Sequence, residues 1–166
     1  MKTDDINNKK AMKILAMETD DFFKIFLRDS FLVFANKETS FTFASNIKDF
    51  FKALENNLLE KPDIIFLCLS APLDDGGKIK MLSGFEVLKS LKSSDNYKNI
   101  PVVIFSKYNE NSLKRKAKKL GASQYLVKGE CMPRDITNAV ENMGNMGEVD
   151  FLEKRESFFQ KIFKWK

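Results

Sequence analysis

Two stretches of the chain are apolar at nearly every position for the length of a strand. One is KPDIIFLCLSAP, residues 61–72, where Ile64, Ile65, Phe66, Leu67 and Leu69 run almost unbroken between Pro62 and Pro72. The other is PVVIFS, residues 101–106. A strand without a polar face must be covered on both sides, so each predicts an interior strand of a sheet with helices above and below. Such sheets display their chemistry just beyond the carboxyl ends of the strands. Cys68 stands at that end of the first stretch.

The rest of the chain supplies the partners for these strands. Residues 11–17 (AMKILAM) predict a first strand, followed by Glu18, Thr19, Asp20 and Asp21. Asp20 is placed to cap a helix through FFKIFLRDSFLVF, in which Phe22, Phe26, Leu27 and Phe34 recur near helical spacing. Residues 40–43 predict a short second strand, and residues 47–59 a second helix with Phe50, Phe51, Leu54 and Leu58 inward. After the third strand comes a long loop, residues 70–82, holding Asp74, Asp75, Gly76 and Gly77. Ser83 then reads as the cap of a third helix with Phe85, Leu88 and Leu91 on one side. The fourth strand is PVVIFS. Residues 109–120 predict a fourth helix that Gly121 ends, residues 123–127 a fifth strand followed by Lys128, and residues 134–143 a fifth helix. Strand and helix alternate five times, which calls for a parallel sheet with right-handed crossovers.

Composition narrows the chemistry. Hydrophobic residues make up 43% of the 166 and charged residues 31%, an ordinary globular balance rich in Phe. No apolar run is long enough for a membrane span, and MKTDDINNKKAMK does not read as a secretory signal. Two cysteines, Cys68 and Cys131, give neither a disulfide framework nor metal-ligand spacing, which suits a reducing cytoplasm. With no histidine at all, a phosphohistidine, a His-based triad and an imidazole zinc site are excluded. The net charge of +5 is mildly basic. It is weak support for an acidic partner.

Over roughly residues 12–143 the motifs resemble a bacterial response-regulator receiver domain of the chemotaxis-Y-like kind. KILAMETDD is similar to the family's first strand with its acidic pair, and PDIIFLCLSAP to the phosphoacceptor strand. SGFEVLKSLK resembles the helix after the active-site loop, IPVVIFSK the switch strand, and GASQYLVKG the lysine strand. Five motifs in the right order imply a three-layer, flavodoxin-like, doubly wound sheet of five parallel strands in the order 2-1-3-4-5.

The functional residues depart from the pattern. The resemblance implies an aspartate acceptor after strand three, and here that position is Cys68. The metal-holding acidic pair becomes Glu18 and Thr19, with Asp20 one place beyond. Ser106, Lys128 and Tyr125 match the hydroxyl, lysine and aromatic switch positions, whereas Gly129 replaces the proline after the lysine. Mg²⁺ wants hard oxygen ligands in octahedral geometry. Replacing one carboxylate by a thiol and another by a hydroxyl removes two expected charges, so Mg²⁺ binding is expected to be weak or lost and no cofactor is expected. Lys128 is expected to pair with Glu18 or Asp20 instead.

The expectation is therefore a stand-alone, non-enzymatic pseudo-receiver in two-component (phosphorelay) signalling, cytoplasmic, binding a histidine kinase, another receiver or a downstream regulator. Two alternatives stay open: phosphorylation at Asp74, Asp75 or Ser70, and a thiol sensor at Cys68. A flavin-binding protein is a remote option, because METDD lacks a Ser/Thr- and Gly-rich phosphate cradle. Helix four carries Lys114, Arg115, Lys116, Lys118 and Lys119, with Lys107 just ahead, a candidate docking surface for an acidic protein. No nucleic-acid motif accompanies that charge. Residues 1–10 read as a polar lead-in, 11–145 as the domain, and 146–166 as an amphipathic extension expected to form an extra helix. Helix four with helix five, or the C-terminal helix, offers a route to a homodimer.

Overall fold

The computed structural model describes residues 10–56 and 60–143. Among them, strands and helices alternate along the whole length. The strands are β1 (Met12–Met17), β2 (Thr39–Ala44), β3 (Ile64–Leu67), β4 (Val102–Ser106) and β5 (Gln124–Val127). The helices are α1 (Asp21–Phe34), α2 (Ile47–Asn56), α3 (Gly84–Ser93), α4 (Asn111–Lys119) and α5 (Pro133–Asn142). The strands form one parallel sheet in the order β2-β1-β3-β4-β5. This is the doubly wound order expected from the motifs. The expected end of the second helix (residues 57–59, with Leu58) and the expected C-terminal helix lie outside the described residues.

β3 and β4 are buried at every position, as their unbroken apolar runs require. On one face of the sheet, Phe50 and Leu54 of α2, Phe85, Leu88 and Leu91 of α3 and Ala117 of α4 pack on Ile65, Leu67, Val102 and Ile104. On the other, Leu27 and Phe31 of α1 and Ile136 and Val140 of α5 pack on Ile14, Ile64, Phe66, Val103 and Phe105. The second layer is dense in aromatic edge contacts. Phe31 and Phe105 each meet Phe66 edge-on, with ring centroids 6.2 and 6.4 Å away.

Of the apolar positions that recur along α1, Leu27 is buried with Ser30 and Phe31, whereas Phe22 and Phe34 look outward. Two local expectations need correction. Ser83 does not cap α3. It is itself helical in φ and ψ, and its hydroxyl donates to the Ala71 carbonyl at 3.1 Å and accepts from the Ala71 amide at 3.2 Å. Helix α4 starts at Asn111 with Glu110 at its N-cap, two residues later than expected. Asp20 does cap α1, accepting from the Phe22 amide at 2.9 Å. Gly121 follows the last turn of α4 at φ +91, a conformation that favours glycine.

Candidate functional site

Strands β1, β3 and β5 each pass a last ladder bond to the residue just beyond them. The Glu18 amide donates to Ala44, the Cys68 amide to Met17 and the Lys128 amide to Ser106. Glu18, Cys68, Ser106 and Lys128 are thereby lined up across the carboxyl edge of the sheet. That edge is where a parallel sheet presents functional groups.

Glu18 is 1% exposed. One carboxylate oxygen, Oε1, accepts from the Asp20 amide at 3.0 Å, and the other, Oε2, stands 2.7 Å from the Lys128 ammonium. The second contact is an ion pair without hydrogen-bond alignment, since Oε2 has no aligned donor among the described residues. Of the two partners expected for Lys128, Glu18 is the one in contact. The Lys128 side chain is only 11% exposed, and its ammonium also lies 4.6 Å from the centroid of Phe23 and 5.4 Å from that of Phe105. Two aromatic faces and one carboxylate enclose it.

Cys68 is 4% exposed and packs with the α2–α3–α4 layer. Its thiol points to the Ser70 carbonyl, 3.5 Å away. Burial, reinforced by the negative Glu18 and opposed only partly by Lys128, pushes the thiol up to about 12. On the order of one molecule in 10⁵ then carries the thiolate at neutral pH, and the thiolate is the nucleophile and metal ligand. Gly84 presses on this corner: a Cβ there would lie 2.3 Å from the Cys68 carbonyl oxygen.

Ser106 is buried, and its hydroxyl accepts from the Tyr108 amide at 3.2 Å. Tyr125 is half-buried and donates to the Tyr108 carbonyl at 2.8 Å. Burial raises its phenol above the usual tyrosine value, and a bond to the Ser106 side chain opposes the shift. The Tyr108 hydroxyl in turn meets the Ser70 hydroxyl at 3.3 Å. Tyr108 therefore ties the segment after β4 to both the β3 loop and β5.

Neither a family model nor a curated protein matches this sequence. Solved structures do. The chain is similar to the phosphorylated cyanobacterial phytochrome response regulator RcpA at 20% identity and a TM-score of 0.65, covering 84% of this chain and 97% of that one. It is also similar to the chemotaxis response regulator CheY4 of Vibrio cholerae at 16% identity and TM-score 0.64, covering 80% and 98%. A signal receiver domain of a two-component histidine kinase from Clostridium thermocellum aligns at 19% identity and TM-score 0.65, covering 81% and 98%. The fold is that of a response-regulator receiver domain.

In this receiver fold the other acidic candidates lie on the neighbouring loop. Asp74 pairs with Lys48 at 2.7 Å, and Asp75 accepts from Asn46 at 2.9 Å, so both are held at the start of α2. Asp20, besides capping α1, is exposed, and Thr19 is half-buried. On the receiver's α4 side, Lys107, Arg115, Lys116, Lys118 and Lys119 are exposed. Lys116 also covers the Phe85 ring at 4.6 Å, and half-buried Lys114 bonds Asn109. Sequence patterns missed Phe23, Phe105 and Tyr108. Aromatics beside the lysine and hydroxyl positions were the available signal for the last two.

Among the described residues no helix is long and apolar enough to cross a membrane.

Proposed function

We propose that this chain is a pseudo-receiver: a receiver fold that acts by binding proteins, without phosphorylation, in a two-component network or one derived from it. The observation that carries this reading is a buried thiol at the acceptor position, beside a single carboxylate that Lys128 already pairs with. The donor set does not fit Mg²⁺. It offers one engaged carboxylate, a thiol and the neutral Thr19, with the exposed Asp20 carboxylate used to cap α1, where a hard cation needs several free oxygens. With the ammonium held by Glu18, no free cation among the described residues at this corner offsets the charge of an incoming phosphoryl group.

The other readings have less support. Asp74 and Asp75 are committed to α2, and the Ser70 hydroxyl accepts from the Leu82 amide at 3.3 Å as well as meeting Tyr108. A thiol sensor needs a reactive thiolate, and burial opposes one at Cys68. The partner is a histidine kinase, another receiver or a downstream regulator, met through the basic α4 surface. Its working compartment is the cytoplasm.

An amide NMR titration with Mg²⁺ and then beryllofluoride, a mimic of aspartyl phosphate, tests the reading. The wild type is expected to show no shifts around Glu18, Ser106 and Lys128. Shifts there, or Mg²⁺-dependent phosphorylation of the purified protein, overturn it.

A further inference from the structure

Helix α1 is apolar on two sides, and only one of them touches the sheet. Leu27 and Phe31 face inward, while Phe22, Leu32 and Val33 are 66, 80 and 66% exposed. The outward stripe borders a groove of about 310 Å³ whose walls include Phe22, Ile25, Phe26, Val33, Phe34 and Pro133 at the start of α5. A contiguous apolar surface of this kind on one helix marks something that covers it.

The chain carries a matching segment at a suitable place. Residues 150–166 (DFLEKRESFFQKIFKWK) place Phe151, Phe158, Ile162 and Trp165 on one side of a helix, next to Leu152, Phe159 and Phe163. α5 ends beside the end of α1: Glu141 accepts from the Asn36 amide at 2.7 Å and from the Asn36 side chain at 2.6 Å. The chain therefore leaves α5 at the foot of α1, within the same helix layer. Residues 144–149 (GNMGEV), with two glycines, allow a reversal there and reach at most about 20 Å. Fourteen helical residues rise about 21 Å, the length of α1 itself. Asp29 on the groove wall offers a partner to the basic residues of the segment.

We propose that residues 150–166 fold back as an amphipathic helix onto the outer stripe of α1, seated in the groove between α1 and α5. The segment covers its own domain and closes that helix face to other proteins. The opposite basic face, around α4, is left as the open docking surface.

Trp165, the single tryptophan of the chain, reports the outcome directly. In the 166-residue protein its fluorescence is expected to be blue-shifted from that of a water-exposed indole, independently of protein concentration. Val33→Glu and Ile25→Glu, both at exposed positions, are expected to return it to the water-exposed value while far-UV circular dichroism keeps the receiver signature. Lys118→Glu, on α4, is expected to leave it unchanged. A water-exposed emission in the wild type, or a blue shift that survives both α1 substitutions, overturns the proposal. So does a blue shift lost on dilution, which assigns the stripe to a second copy of the chain.

Discussion

The two layers that sandwich the sheet are built from different side chains, and each holds one group of the carboxyl-edge corner. The α1–α5 side is aromatic, with Phe23, Phe105, Phe66 and Phe31 in successive edge contact, and it holds the Lys128 ammonium against its rings. The α2–α3–α4 layer is mainly aliphatic at its centre, with Leu54, Leu67, Leu88 and Leu91, and it takes in Cys68 as one more small apolar group. The difference shows how one sheet edge can hold a cation and a thiol in unlike surroundings. Rings and a carboxylate enclose the Lys128 ammonium, and Cys68 lies in the aliphatic core.

The largest effects separate the layers. Phe105→Ala is expected to cost about 3–5 kcal/mol and Leu88→Ala about 2–5 kcal/mol in denaturant unfolding. Only the first is expected to move the carboxyl carbon resonance of Glu18, because only Phe105 touches Lys128. An equal shift in both variants breaks the division. Removing the cation probes the corner itself. Lys128→Met leaves a buried carboxylate without its counter-charge and is expected to cost about 3–5 kcal/mol. The double variant Glu18→Gln/Lys128→Met is expected to recover most of that loss. If it does not, the pair is not what holds Lys128.

The smallest effect concerns the thiol. Its value in the folded protein, about 12, lies above the ordinary 9.0, so the fold prefers the protonated form. That preference is fully present below about pH 9 and is lost as pH rises towards 12, at about 1.4 kcal/mol per pH unit. Unfolding midpoints of wild type and Cys68→Ala are therefore expected to converge as pH climbs from about 8 to about 10.5. A constant gap between them removes the burial argument for Cys68.

Much of the fold was legible because its signals are local. Continuous apolar runs gave β3 and β4, alternation of strand and helix gave a parallel sheet, the resemblance to receivers implied its order, and Asp20 and Gly121 marked helix ends by their own chemistry. The positions left open or misread depend on contacts far apart in sequence. Whether Phe22 or Phe31 of α1 is buried depends on how the helix is rotated against the sheet, and the helix is apolar on both stripes. Ser83 had the composition of a cap, yet Ala71 across the loop claimed its hydroxyl. At the site, the ends of the apolar strands placed Cys68 and Lys128, and the resemblance to receivers picked out Glu18 and Ser106 beside them. Neither contained a sign that Phe23, from a different helix, would face the Lys128 ammonium.

The bond between Ser83 and Ala71 has one more consequence. Together with the Lys80 amide donating to the Ala71 carbonyl, it closes the neck of the loop after β3, while Pro72 and Leu73 accept from the first amides of α2. Past that stitching, Gly76, Gly77, Lys78 and Ile79 are exposed. Lengthening a loop whose ends are already joined adds little closure entropy. The tip between Gly76 and Ile79 is therefore a splice point, where a foreign peptide can be carried as a handle with the sheet edge, α1 and α4 all left free.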